Sequence, residues 1–328
     1  MNRRDFITLV GGAAAWPLAA RAQGERMRRL GVLAGGAEND PGSPAATAAL
    51  WEGLAKLGWI EGRNLRIDFR FGAGELDRIR ADAAELVSLA PDVIVANSAA
   101  ATKAAQQQTQ TIPIVFTAGG DAAVNGLVRN IARPEGNTTG FTTSEPSAAG
   151  KSLGLLKEAA PHLTRVAIVF NPELAQTAPS FIAAIEAAAP ALAVQAIIKV
   201  PVRNAVDIVR GIDAFATEPN GGLLMLPPPN AGFVETINQL TAKYRLPAIS
   251  SSRDIVAAGG LMAYGTDLAD LSRRAAFYID RLLRGAKVTE LPIQFPTKYV
   301  LVINVKTAKA IGLTIPESLL LRADELIE

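Results

Sequence analysis

The chain has 328 residues, 33 Lys and Arg against 31 Asp and Glu, one histidine and no cysteine. Disulfide staples and cysteine nucleophiles are therefore excluded, and histidine-based triads and ordinary zinc sites lack parts. At 49% hydrophobic residues, a chain of this length can bury large apolar cores, spread over two domains.

The N-terminus reads first. Adjacent Arg3 and Arg4 precede Phe6 and an apolar run to Ala20, rich in Ala and Gly. This resembles a twin-arginine export signal, although Asn2, Ile7 and Thr8 depart from the usual consensus. The run is too short to span a bilayer, and Pro17 interrupts it. Ala20 and Ala22 put small residues where a signal peptidase cuts, and Arg21 beside them favours the twin-arginine route. Residues 1–22 are thus expected to be a cleaved targeting peptide. Cleavage would remove Arg3, Arg4, Arg21 and Asp5, leaving 30 basic and 30 acidic side chains. Such a neutral chain carries no basic field for nucleic acid or an anionic membrane. With no cysteine to take a lipid, the expectation is a soluble protein of a Gram-negative periplasm.

Beyond the signal, short apolar runs alternate with Ala-rich helical patterns. Strands are predicted at Arg29–Ala34, Leu65–Phe71, Val93–Asn97, Ile114–Thr117 and Thr139–Thr142. Further strands are predicted at Arg165–Phe170, Val194–Val200, Gly222–Leu226, Ala248–Ser250, Leu261–Tyr264 and Tyr299–Asn304. The helical patterns include Ala45–Leu57, Leu76–Leu89, Ser147–Ala160, Phe181–Ala188, Phe233–Tyr244 and Leu268–Leu283. Near-continuous apolar strands such as Val93-Ile-Val-Ala suit parallel strands covered on both faces. The order also repeats: Arg29-Leu-Gly-Val-Leu-Ala matches Arg165-Val-Ala-Ile-Val-Phe, and Thr111-Ile-Pro-Ile-Val-Phe matches Arg245-Leu-Pro-Ala-Ile-Ser. Two similar α/β lobes with Rossmann-like parallel sheets are therefore expected. His162, just before a strand, reads as a surface-loop residue.

Open parallel sheets bind ligands outside the carboxyl ends of their strands. The loops there carry small, hydroxyl or amide residues: Gly35 and Gly36; Ser98 and Ala99; Thr117, Gly120 and Asp121; and Thr142-Thr143-Ser144-Glu145. The second half supplies Asn171, Asn230, Ser251, and Tyr264 with Asp267. Such residues leave room for a solute and present backbone N–H groups, but many would also serve as plain helix caps. Asp121 is balanced between ligand anchor and cap of a helix starting near Ala122. The candidate ligand-binding set is Gly35, Gly36, Ser98, Ala99, Thr117, Gly120, Asp121, Thr142, Thr143, Asn171, Asn230, Ser251, Tyr264 and Asp267. No dinucleotide fingerprint, Walker A motif, calcium loop or nucleophile elbow occurs, so no cofactor, metal or catalytic group is expected. Gly150-Lys-Ser lacks the upstream glycine of a phosphate loop and lies within a helical pattern.

Arg133-Pro-Glu-Gly-Asn-Thr-Thr-Gly-Phe-Thr resembles a block of the ABC-transporter substrate-binding family often assigned to tryptophan or tyrosine uptake. Tyr264-Gly-Thr-Asp, Arg273-Arg-Ala-Ala-Phe-Tyr-Ile and Thr307-Ala-Lys-Ala-Ile-Gly-Leu-Thr-Ile-Pro-Glu extend the resemblance across the chain. It implies a type I periplasmic binding protein: two lobes, a three-crossover hinge and a ligand in the cleft. Carried over, lobe 1 spans 24–140 plus 265–288, and lobe 2 spans 141–264 plus 289–328. The crossovers fall near Gly140–Thr143, Tyr264–Asp267 and Lys287–Pro292. The family's aromatic amino-acid binders often place an acid where this chain has Thr143, and Asp121 and Asp267 are the candidates to compensate. The implied protein is a monomeric, non-enzymatic receptor for an amino acid or an aromatic or carboxylate-like solute, docking on an inner-membrane ABC permease. The rival readings are an exported sensory receptor and, less favoured, an exported α/β enzyme whose lone Asp or Glu does acid–base work.

Overall fold

The computed structural model describes residues 27–38, 43–117, 121–123, 125–143, 145–172, 177–226 and 231–328. The signal expected at 1–22 lies outside them, as do the candidate site residues Gly120 and Asn230.

The described chain forms two parallel-sheet lobes. In the first, β1 (Arg28–Ala34), β2 (Leu65–Phe71), β3 (Val93–Ala96), β4 (Ile114–Phe116) and β5 (Thr138–Gly140) assemble in the order β2-β1-β3-β4-β5, all parallel. Sequence sets that order. Every residue of β3 is apolar and buried, as a central strand covered on both faces requires. At the edge, β2 carries Arg66, Asp68 and Arg70, which tolerate solvent. Helices α1 (Ser43–Lys56), α2 (Leu76–Ser88) and α3 (Ala99–Gln108) connect these strands.

After α4 (Pro146–Ala159) the second sheet begins. It contains β6 (Arg165–Phe170), β7 (Ala196–Pro201), β8 (Gly221–Met225), β9 (Ala248–Ser250), β10 (Met262–Thr266), β11 (Tyr299–Asn304) and β12 (Glu325–Ile327). The order is β12-β11-β10-β9-β8-β6-β7, and β10–β11 is its antiparallel pair. Helices α5 (Ala178–Ala188), α6 (Ala205–Phe215), α7 (Ala231–Tyr244) and α8 (Arg253–Ala257) connect strands of this lobe. The run β7-β6-β8-β9-β10 repeats the order β2-β1-β3-β4-β5, so the sequence repeat is a repeat of topology.

One helix returns to the first lobe. In α9 (Leu268–Leu283), Leu271, Ala275, Ile279 and Leu282 fall on one face at helical spacing. They share a buried core with Leu30 and Val32 of β1 and Leu50 and Leu54 of α1. Contact is close because α1 has Gly53 at the crossing: a Cβ there would lie 2.7 Å from the Ala276 Cβ. At the far end, the buried Asp280 carboxylate accepts from Trp59 Nε1 at 2.8 Å and pairs with Arg284 at 2.6 Å. Arg284 compensates its charge, and the Trp59 indole, just beyond the end of α1, adds a neutral hydrogen bond. Beyond β11, α10 (Val305–Ala310) and α11 (Glu317–Leu320) stay with lobe 2, where Leu319 joins the core of Leu153 and Leu156.

The lobes are joined by three neighbouring passages. Gly140 sits at φ +152°, and a Cβ on it would meet the Phe116 carbonyl at 2.1 Å, so glycine alone fits. Phe141 N–H donates to Phe116 O, Thr142 N–H to Gln294 O, and Gln294 N–H to Gly140 O, at 2.8 to 3.0 Å. Thr266 Oγ1 donates to Thr143 O at 3.1 Å, and Asp267 N–H to Lys298 O at 3.1 Å.

Two expected boundaries shift. Gly265 and Thr266 are still part of β10 in lobe 2, so the return begins at Asp267. The last passage was expected at Lys287–Pro292, with lobe 2 resuming at 289, but the chain leaves lobe 1 only at Gln294. Leu291 is buried with Leu30 and Val32, and Ile293 with Phe116. Thr139 Oγ1 also donates to Leu291 O at 2.6 Å. Apolar burial holds this segment in lobe 1 past its expected end at residue 288.

Gly53→Leu should disrupt the α1–α9 crossing and lower stability by about 1–3 kcal/mol, the usual cost of overpacking. Urea denaturation checks this; an unchanged midpoint would show that the two helices have slack.

Candidate functional site

A cavity of about 360 Å³ opens at the carboxyl ends of the second sheet, beneath the first lobe. Its size lies within the range of about 300–1,000 Å³ usual for small-molecule sites. Leu224, Leu226 and Ile249 form its floor, with Phe181 at one side, and Ala45, Ala46, Leu268 and Ala269 approach from α1 and α9. Its polar groups are few and mostly hydroxyls: Thr143, Ser152, the run Ser250-Ser251-Ser252, Thr266, Tyr264 and Tyr299. Glu145, Arg253, Asp254 and Asp267 are its ionic side chains.

The aromatic wall follows from strand register. Tyr264 faces Leu301 and Thr266 faces Tyr299 across the antiparallel β10–β11 pair, so the two tyrosines are diagonal neighbours on one face. Their rings stack at 5.2 Å with an interplanar angle of 16°. Burial raises the Tyr264 phenol above its ordinary range. Burial, and then the bond to Glu145, raises Tyr299 further, so its hydroxyl stays protonated and donates to Glu145 Oε2 at 3.0 Å. Ser147 Oγ donates to Glu145 Oε1 at 2.6 Å.

Asp267 caps α9, its Oδ1 accepting from Asp270 N–H at 2.9 Å, while Oδ2 pairs with Lys298 at 2.8 Å. Burial works to raise this carboxyl, but the bonds from Lys298 and the Asp270 backbone outweigh it and hold the group below the ordinary aspartate range. Arg253 is engaged outward with Glu325 at 2.7 Å.

Of the residues singled out from sequence, Thr143, Ser251, Tyr264 and Asp267 line this cavity. Gly35, Gly36, Ser98, Ala99, Thr117 and Asp121 occupy the carboxyl edge of the first sheet, outside its lining. Local bonds engage several of them. Gly35 N–H donates to Asn97 Oδ1 at 2.8 Å, and Gly35 O and Gly36 O accept from Gly74 and Ala73. Ser98 caps α3 through Ala101 N–H. Thr117 is buried and donates to Ala96 O. Asp121 accepts from Ala123 N–H at 3.1 Å in a turn; the helix expected near Ala122 is absent there among the described residues. Thr142 is buried in the first passage, and its Oγ1 has no hydrogen-bond partner. Asn171 is buried at the end of β6, away from the cavity lining. His162 is exposed.

Sequence reasoning passed over Glu145, Tyr299, Ser250 and Ser252. Glu145 stood in a quoted loop, two residues beyond Thr143. Tyr299 opened a predicted strand, but only the β10–β11 register turns it toward Tyr264.

Two topologically matched parallel-sheet lobes, three passages between them and an apolar cleft with sparse polar groups define a two-lobed solute-binding protein. The chain belongs to the family described as ABC transporter substrate binding protein, whose model matches residues 39–327. It is 24% identical over 284 residues to a tyrosine-binding protein of Clostridioides difficile, covering 83% of this chain and 78% of that protein. A conserved domain protein of Vibrio cholerae superposes with a TM-score of 0.79 at 26% identity, over 92% of this chain and 100% of that one. An ABC domain of Streptococcus pneumoniae in complex with L-Trp also gives 0.79, at 24% identity, over 92% and 99%.

Because the Asp267 carboxyl is depressed, its contribution to stability is complete above the ordinary aspartate pKa of about 3.9 and is lost as pH falls through the lower folded-state value. Asp267→Asn can still cap the helix. Its melting temperature should therefore fall below wild type near neutrality, and the gap should close in acid. A gap independent of pH would mean that the Lys298 pair contributes nothing.

Proposed function

We propose that the protein is an exported receptor of an ABC importer, which encloses a small organic solute between its lobes and presents the closed form to a membrane permease. The observation that carries this reading is the apolar cavity with an aromatic wall and hydroxyl rim, lined by one lobe and approached by the other. Ligand contacts to both lobes favour closure by shifting a population between open and closed forms. The Gly35–Gly36, Ser98–Ala99, Thr117 and Asp121 loops lie on the lobe 1 edge that would meet the solute on closure. Asn171, and Gly120 and Asn230 from outside the described residues, complete the proposed contact set.

The named ligands of two relatives, tyrosine and L-tryptophan, favour an amino acid over a sugar or nucleoside. The family's solute-binding role favours a binding protein over an enzyme. Placement in the periplasm as a soluble monomer rests on the family and on the reading of residues 1–22.

A thermal-shift screen of amino acids, aromatic acids, carboxylates and nucleosides tests the reading. A true ligand at about 100 times its Kd should add about 2.7 kcal/mol of stability. Ala148 lines the cavity from a partly exposed position on α4. Ala148→Trp should stay folded by circular dichroism and abolish that gain. Undiminished binding by the tryptophan variant would place the ligand elsewhere.

A further inference from the structure

We infer that Glu145 is the group that selects the solute, by accepting a ligand ammonium in the cleft. The inference rests on the receptor reading and deepens it, because it separates amine-bearing solutes from aromatic and carboxylate solutes of the same shape.

The cavity's ionic groups differ in what they have left to offer. Asp267 is consumed by its helix cap and Lys298, and Arg253 by Glu325. Glu145 has hydroxyl partners, Tyr299 and Ser147, and no ion-pair partner among the described residues. Hydroxyl donors orient a carboxylate without neutralising it. A carboxylate can accept about four hydrogen bonds, so two acceptor positions remain. The Tyr299 phenol is held protonated by burial and by Glu145 itself, which fixes the donor direction and with it the carboxylate plane.

Position supports the same role. Glu145 has extended backbone, at φ −133° and ψ 117°. Thr143 and Glu145 both line the cavity. Beside Glu145 lie the stacked Tyr264 and Tyr299 rings and the Leu224–Leu226 floor. The site therefore suits an ammonium carried close to an apolar or aromatic body. Once the lobes close and water leaves, an unpaired carboxylate would be costly, and a compact cation with three donors offsets that cost. Asp254 is the competing carboxylate, but it lies next to Arg253, whose charge attracts it, at the start of a five-residue helix.

The test is calorimetry on purified protein with L-tyrosine, L-tryptophan and their desamino counterparts, using wild type, Glu145→Gln, Asp254→Asn and Ala148→Trp. Gln keeps the shape of the side chain: its Oε1 can accept from one of the two hydroxyls, and its Nε2 can donate to the oxygen of the other. Wild type should prefer an amino acid over its desamino form, and Glu145→Gln should erase that preference. The loss expected for one charged hydrogen bond is about 10- to 100-fold. Affinity for the desamino acid should be unchanged by Glu145→Gln, and Asp254→Asn should behave as wild type. A preference that survives Glu145→Gln, one that is lost instead in Asp254→Asn, or failure of both amino acids to bind would overturn the assignment. Where the preference survives Glu145→Gln but Ala148→Trp still abolishes binding, the receptor reading stands while the role of Glu145 falls. If Ala148→Trp leaves binding intact, the ligand lies outside this cavity and the role of Glu145 falls with the site.

Discussion

The architecture depends on three chain passages that run side by side and hydrogen-bond to one another. Residues 140–143, 266–267 and 294–298 are the places where the two lobes exchange chain, and backbone bonds such as Thr142 N–H to Gln294 O tie them together. A single connection would let the lobes rotate in many directions. Three connections at one edge would restrict relative motion to bending about that edge, so that in the proposed closure the carboxyl ends of both sheets would approach as a pair. Gly140 begins the first passage because no side chain fits against Phe116. The unpartnered Thr142 hydroxyl is buried in the same place, a polar group left unsatisfied where the chain changes lobes.

This constraint explains why α9 matters. It follows the second passage and returns to the first lobe, where its apolar face completes a core with β1 and α1. Its first residues, Leu268 and Ala269, line the cleft, and Asp267 at its cap is held by Lys298 from the third passage. Helix packing, hinge and cavity are thus connected within a few residues. A solute that touches Tyr264 or Asp267 touches the segment that joins the lobes.

Most of the fold was legible in the sequence because burial on both faces leaves plain marks. The apolar run Val93-Ile-Val-Ala, and the paired blocks opening at Arg29 and Arg165, predicted parallel strands and a repeated topology that the sheets display. Weaker signals were missed. The helix Ala99–Gln108 has an Ala- and Gln-rich sequence with little apolar contrast, and Glu325–Ile327 is a three-residue strand made by pairing with β11. The end of lobe 1 was placed at residue 288 from the family resemblance, whereas Leu291 and Ile293 are held in that lobe by burial that only the fold reveals. The site was less legible for a chemical reason. A small polar residue after a strand serves a cap, a turn or a ligand equally well, and Ser98, Gly35 and Asp121 all have local partners. Glu145 and Tyr299 are separated by 154 positions in sequence, and their juxtaposition depends on strand register.

The central claim is that the two lobes close on a solute at this hinge. Because the chain has no cysteine, two can be introduced and labelled without interference. Glu75 and Val206 are exposed, one at the carboxyl edge of each sheet. Spin labels at Glu75→Cys and Val206→Cys report the opening of the cleft by pulsed electron resonance. The account predicts a broad or long distance without ligand that shortens when a calorimetrically confirmed ligand saturates the protein. An unchanged distance distribution at saturation would contradict it.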